Sequence, residues 1–339
     1  MKNLEACISK WFAEHKVTSL AIRIGRGDEI LWEHFQSNER ELTDQTLFDM
    51  ASVTKMAATT SLTLIALDRG MLHLDTPVSQ FWPVPEDKKN LKIFHLLTHT
   101  LGFGHQKLFE PDVEYGLVQE LILSYPCLSE PGTEVRYSCP GFILLGRIVE
   151  TVFGMRLDAA FEQYVAKPLG MVSSTFHPDP AQTINSNRTP ESRGLVNDYN
   201  SRFLGGVCGN AGLFSNMADM TRFVQMMIAH GAPLMSREIF DLAAQNYTAG
   251  MAESRGLGFV YVDGRYFQTG GLFPEGSIGH CGHTGQSVFV DPQSGFYVII
   301  LSDATIQTVH RYGPESKHYQ RVVEMRNEIH NAIRMDLCK

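Results

Sequence analysis

Strand-forming stretches lie at the two ends of this 339-residue chain, and helix-forming stretches fill its middle. Residues 18–24 "TSLAIRI", the turn "GRGDE" and residues 30–35 "ILWEHF" read as a β-hairpin. Ser287–Val290, the turn "DPQSG" and Phe296–Ser302 read as a second hairpin. Between them the apolar period is helical over 57–67, 142–152 (stopped by Gly154), 157–166 and Met217–Ile228, with Ser215 or Asn216 as N-cap of the last. An amphipathic helix opens the chain. Another is predicted over 314–338, with Val322, Val323, Met325, Ile329, Ile333 and Met335 as its apolar positions. Strands from both ends must meet in one sheet, so the fold class is α/β in the α+β sense. One lobe is expected from residues 1–50 and 256–339. A mainly helical lobe, 51–255, is inserted into it, with the active site between them. Residues 175–202, rich in Pro, Asn and Ser, read as a long loop.

Composition narrows the function. Apolar residues make up 43% and charged residues 19%, which is ordinary globular composition. A net charge of −8 gives a nucleic-acid partner no electrostatic footprint. No run is long and apolar enough for a membrane span. The N-terminus lacks an apolar signal core, and the six cysteines form no C-x-x-C pair. Free thiols in a reducing, cytoplasmic compartment are therefore expected.

Residues 50–67, "MASVTKMAATTSLTLIAL", carry one charge, Lys55. A buried lysine is rare because stripping its ammonium of water costs several kcal/mol unless it is paired. Lys55 lies three residues after Ser52, so both point to one helical face. Burial would lower the lysine pKa and make the amine a proton acceptor, and a serine at a helix N-terminus has backbone N–H groups beside it for an oxyanion. The plainer alternative is an N-capping serine and a snorkelling lysine.

The segment "FDMASVTKMAATTSLTLIALDRG" resembles the Ser-x-x-Lys region of the serine β-lactamase and penicillin-binding-protein superfamily, in its class C β-lactamase, D-alanyl-D-alanine carboxypeptidase and family VIII esterase branch. Residues 91–102, "LKIFHLLTHTLG", resemble that branch's L-L-T-H-T-S-G segment, with Leu101 in place of Ser. "RYSCPGF" resembles its Tyr-x-Asn element: Tyr137 matches and Cys139 stands where Asn is usual. "GSIGHCGHTGQ" resembles the Lys-Thr-Gly or His-x-Gly strand. Of its two registers, His280-Cys281-Gly282 is preferred, because it leaves Gly285 in the following turn. "VNDYNSRFLGGVCGNAGLFSN" resembles a glycine-rich block of some penicillin-binding-protein-like and muramyl-peptide amidase members, with Asn210 in place of His. Residue by residue, each segment also has a structural reading: a core tyrosine, a surface turn, or a brace for a loop at His95, His99 and His105. A zinc site at His280, Cys281 and His283 is disfavoured, since strand positions i and i+3 face opposite sides.

The resemblance implies a β-lactamase/transpeptidase-like fold, an antiparallel sheet flanked by terminal helices plus an inserted all-α lobe. It implies a serine hydrolase with Ser52 as nucleophile and Lys55 and Tyr137 as general base and acid. His280, Gly282, His283 and Cys139 would bind substrate, with the Ser52 and His283 backbone N–H groups as oxyanion donors. A tyrosine beside an ammonium would have its phenol pKa lowered. No cofactor and no metal is called for, and the partner is a small molecule or short peptide. The expected substrate is an ester, a small amide or a D-amino-acid peptide. A β-lactamase or D,D-carboxypeptidase is one alternative, and a non-catalytic penicillin-binding-like scaffold another. Cys139 weighs against amide and β-lactam turnover, because a thiol is a weak donor and acceptor where relatives carry an amide.

Overall fold

The computed structural model describes residues 1–103, 117–186, 190–304 and 318–337. His105 and Cys338 lie outside them. The two terminal hairpins do meet. Strands β1 (Ser19–Arg26), β2 (Glu29–Ser37), β5 (Val260–Tyr261), β6 (Ile278–Cys281), β7 (Ser287–Val290) and β8 (Phe296–Ser302) form one sheet in the order β2-β1-β8-β7-β6-β5. All its pairings are antiparallel, and β1 and β8 join the chain ends in the register Ile22 opposite Ile300. A separate two-stranded ladder joins β3 (Phe48–Asp49) to β4 (Phe214–Ser215).

Side chains alternate across a strand, so each central strand supplies two cores. Leu20, Ile22, Ile24, Phe296, Val298 and Ile300 face the terminal helices. Tyr297, Ile299, Leu301, Val288 and Val290 face the helical part of the chain. The terminal helices, Lys2–Ala13 and His318–Leu337, pack together on the first face. There the Asp336 carboxylate accepts the Asn3 and Leu4 N–H groups at 2.9 and 3.0 Å, satisfying helix-start donors that have no intrahelical partner. In the second of these helices Val322, Met325, Ile329 and Ile333 are buried as expected. Val323 is half-buried and Met335 is exposed, because the stripe facing the sheet is narrower than the apolar pattern.

On the other face, the helix Cys139–Phe153 ends at Gly154 in the left-handed region (φ 65°), and Met217–Ile228 is capped by Asn216, which accepts the Asp219 N–H at 2.8 Å. The helix expected over 57–67 is two segments: a widened π-helical turn, Lys55–Thr60, and an α-helix, Ser61–Asp68. The stretch 157–166 is likewise split, α over Leu157–Phe161 and π over Glu162–Ala166. The described residues of 175–202 include short 3₁₀ turns and the start of the helix Tyr199–Phe203, so the segment is not all loop.

Candidate active site

Ser52 follows β3 in a tight turn of successive i→i+3 bonds: Val53 to Met50, Thr54 to Ala51 and Lys55 to Ser52. It stands directly before the helical residues Val53 and Thr54, at the helix start expected from sequence, with its Oγ accepting from side chains rather than capping a backbone N–H. Ala51 sits at φ 45°, a conformation an L-residue adopts only when its surroundings hold it there. Gly282 lies flush against this turn. A Cβ there would stand 2.7 Å from the Met50 carbonyl oxygen, so only glycine fits without displacing the strand end.

Lys55 is fully buried. Its ammonium donates to Ser52 Oγ at 3.0 Å and to the Asn210 carbonyl at 2.9 Å, and lies 3.5 Å from Cys139 Sγ. The Tyr137 hydroxyl donates to Ser52 Oγ at 2.8 Å. His99 braces this tyrosine, its ring packed at a tilt on the phenol ring with 4.7 Å between centroids while its Nδ1 accepts the Ser138 N–H at 3.1 Å. The glycine-rich segment carries Asn210 to the lysine. Gly209 packs so tightly on the helix Cys139–Phe153 that a Cβ would meet the Phe142 carbonyl at 2.1 Å, and the Thr59 hydroxyl holds the Gly209 carbonyl at 2.7 Å.

The pKa directions correct two expectations. Burial alone pulls Lys55 down, but the acidic groups of Cys139 and Tyr137 in contact with it reverse the sign, and the ammonium is favoured. Burial raises the Tyr137 phenol, and Lys55 offsets only part of that. The resting pair is therefore ammonium plus phenol, not a neutral amine.

The cleft in front of Ser52 has a volume of about 650 Å³. Tyr137, Cys139, His280, Gly282 and His283 line it, so every residue expected from sequence lies at one site. Its outer wall is Asn197–Asn200, inside the stretch read as loop. Sequence reasoning missed the far end, where two buried arginines, Arg255 and Arg326, line the cleft. The Arg255 guanidinium pairs with Glu253, and that of Arg326 with Gln268 and the Gly282 carbonyl. The Nε of each has no acceptor among the described residues. Burial and the nearby cations Lys55 and Arg255 hold His280 well below its usual pKa, hence neutral. Its Nδ1 faces the Cys281 carbonyl at 2.8 Å and so carries the proton, leaving Nε2 as an acceptor without a partner among the described residues. A signal for Arg326 was present: it lies four residues after Val322 and three before Ile329, on the buried stripe. Arg255 had none.

A Ser-x-x-Lys pair with its lysine buried, a tyrosine on the same serine oxygen and the end of an antiparallel strand beside it define the class of serine β-lactamase-fold hydrolases. The β-lactamase family model matches residues 4–315, and the chain belongs to that family. It is 30% identical over 303 residues to the Escherichia coli (strain K12) protein named "Putative D-alanyl-D-alanine carboxypeptidase", covering 77% of this chain and 70% of that one. Its fold is that of the octameric penicillin-binding protein homologue from Pyrococcus abyssi (TM-score 0.73, 21% identity, 88% of this chain and 72% of that one). It is also that of EstCE1, a hydrolase with promiscuous acyltransferase activity (TM-score 0.76, 22% identity, 97% and 98%). Among the described residues no helix is long and apolar enough to cross a membrane.

Proposed function

We propose that the protein is a serine hydrolase working through an acyl-enzyme on Ser52. The observation that carries this reading is the convergence of Lys55 Nζ and Tyr137 OH on Ser52 Oγ, at 3.0 and 2.8 Å, at the floor of an open cleft. Ser52 attacks a carbonyl carbon and its proton passes to the Lys55–Tyr137 pair once that pair has lost one proton. The pair then protonates the leaving group, and water hydrolyses the ester so formed. The two groups titrate as a unit, so the base is the pair. The Ser52 and His283 backbone N–H groups serve as oxyanion donors, with Gly282 letting the strand approach the nucleophile turn.

For the substrate, the far end of the cleft supports an acidic acyl compound, a D-amino-acid peptide or an ester carrying a carboxylate. Two buried guanidinium groups offer N–H donors and neutral His280 offers an acceptor, which suits a carboxylate beside an N–H or hydroxyl. The carboxypeptidase relative agrees with this reading. Cys139, in contact with Lys55, favours esters over amides, since a thiol holds a substrate amide weakly.

The direct test is the intact mass of wild type and Ser52→Ala after mixing with a penicillin or a fluorophosphonate. A covalent adduct on wild type alone is expected. No adduct with either reagent would remove Ser52 from its role and favour a non-catalytic member of the family.

A further inference from the structure

The nucleophile turn is held by a carboxylate that stands in the Ser-x-x-Lys segment but has no part in the chemistry assigned to it. Asp49, the last residue of β3, is almost fully buried. One of its carboxylate oxygens accepts the Ala51 N–H at 2.8 Å, inside the left-handed turn that presents Ser52. The other accepts the Asn197 N–H at 2.6 Å and the Ser186 hydroxyl at 3.3 Å, on the segment that forms the outer wall of the cleft. Its main-chain carbonyl accepts the Thr284 hydroxyl at 3.0 Å and the Gln286 amide at 2.6 Å, in the turn after His280–His283. One residue thus ties together the nucleophile turn, the outer wall and the strand end. Among the described residues it has no cationic partner within ion-pair distance.

We infer that Asp49 is a positioning residue: as a carboxylate it fixes the Ser52 turn against the Asn197 wall and so sets the reactivity of Ser52. The inference rests on the serine-hydrolase reading. Ionised, the carboxyl accepts from all three donors at full strength. Protonated, its O–H oxygen is a weak acceptor, and of the three partners only the Ser186 hydroxyl can turn to receive the proton, so the hold on a backbone N–H weakens. Burial raises the Asp49 carboxyl to about 6, against the bonds from Asn197, Ala51 and Ser186 and with the charge of Asp198. The other titratable groups on the elements packed around it are Lys55 beyond the turn and His283 on the strand end; β4 supplies none. Burial holds His99 and His280 well below the usual histidine range.

Activity and stability then move in opposite directions. A carboxyl whose folded pKa lies above its unfolded value of 3.8 stabilises the fold as pH falls through about 6, the gain being complete near 3.8. Over the same interval the tether on Ser52 loosens.

The test follows the rate of fluorophosphonate labelling per folded molecule from pH 8 to pH 5, with melting curves alongside. Wild type, Ser186→Ala and Asp49→Asn are compared, and Ser52→Ala is the blank. Wild type should show an added loss of labelling rate through about pH 6, on top of the steady fall that protonating the Lys55–Tyr137 pair imposes, and its Tm there should fall no more than that of Asp49→Asn. Ser186→Ala removes a donor to the carboxylate and should move that step to higher pH. Asp49→Asn turns an NH₂ toward one backbone N–H and should label roughly tenfold slower at pH 8 or worse, with no step near 6. A wild-type rate in Asp49→Asn, or an unmoved step in Ser186→Ala, overturns the inference whether or not Asp49→Asn folds well. A wild type that never labels overturns the serine reading and this inference with it.

Discussion

The two ends of the cleft are built on opposite principles. At the nucleophile end Ser52 Oγ, Lys55 Nζ and Tyr137 OH bond to one another, and the ammonium also holds the Asn210 carbonyl. At the far end Arg255, Arg326 and His280 each keep a buried nitrogen with no partner among the described residues. A buried polar atom without a partner costs about 1–3 kcal/mol, so a fold keeps such atoms where something else satisfies them. The nucleophile end is the one proposed for chemistry, and the far end the one proposed for recognition of a carboxylate.

Breaking the nucleophile end should have the largest effect. Ser52→Ala should abolish turnover with the Tm unchanged. Lys55→Met, which keeps the volume but not the charge, should cost about 10³-fold in kcat/KM, read from steady-state ester hydrolysis. Tyr137→Phe should cost about 10²-fold. Its pH profile sharpens the point. Both pair members are raised, so the protonated resting pair is favoured, and the rate should climb as pH rises through the pair's first deprotonation. A rate flat from pH 7 to pH 10 would contradict the ammonium-plus-phenol resting state.

At the far end, Arg255→Gln should raise KM for carboxylate-bearing substrates roughly tenfold to hundredfold and affect their neutral methyl esters much less, through the 5.6 Å contact of the guanidinium with the Tyr137 ring alone. Equal losses on both would deny the arginine a recognition role. Cys139→Asn changes the boundary between the two ends. It should improve turnover of an amide relative to the matching ester by a fewfold, measured as a ratio of kcat/KM.

The smallest effect lies outside the cleft. His330, on the terminal helix beneath Phe273 and Phe289, is pulled down to about 4 by burial, with its Nδ1 bonded to the Arg326 carbonyl at 2.7 Å. Its folded pKa lies below the unfolded 6.5, so the unfolded chain binds the proton first, and stability falls as pH drops from 6.5 to about 4. His330→Phe should flatten the slope of Tm against pH in that window.

What was legible in the sequence was local or carried by a motif. Period-2 strands gave both hairpins, Gly154 gave a helix end, and Ser52, Lys55, Tyr137 and His280 stood in family segments whose order the fold follows. What was not legible depends on distant partners. Arg255 reaches the site through a loop without periodicity, and Asp49 matters because of Asn197 and Ser186, more than a hundred residues away. The sign of the Lys55 shift was missed for the same reason. Burial is visible in an apolar run, but the acidic groups of Cys139 and Tyr137 beside the amine are not.

The widened turn Lys55–Thr60 has a consequence for how such genes change length. A π-helical turn is wider than an α-helical one, in effect an α-helix with a residue inserted. Deleting one alanine, Ala57 or Ala58, would let the segment relax to a plain α-helix. The widened turn absorbs its extra residue locally, so the elements before and after it would keep their relative setting. Only side chains within the turn would shift, among them Thr59, which holds the Gly209 carbonyl. The letters Ser-x-x-Lys would survive such a deletion intact, so a homologue one residue shorter here could keep both the motif and the site.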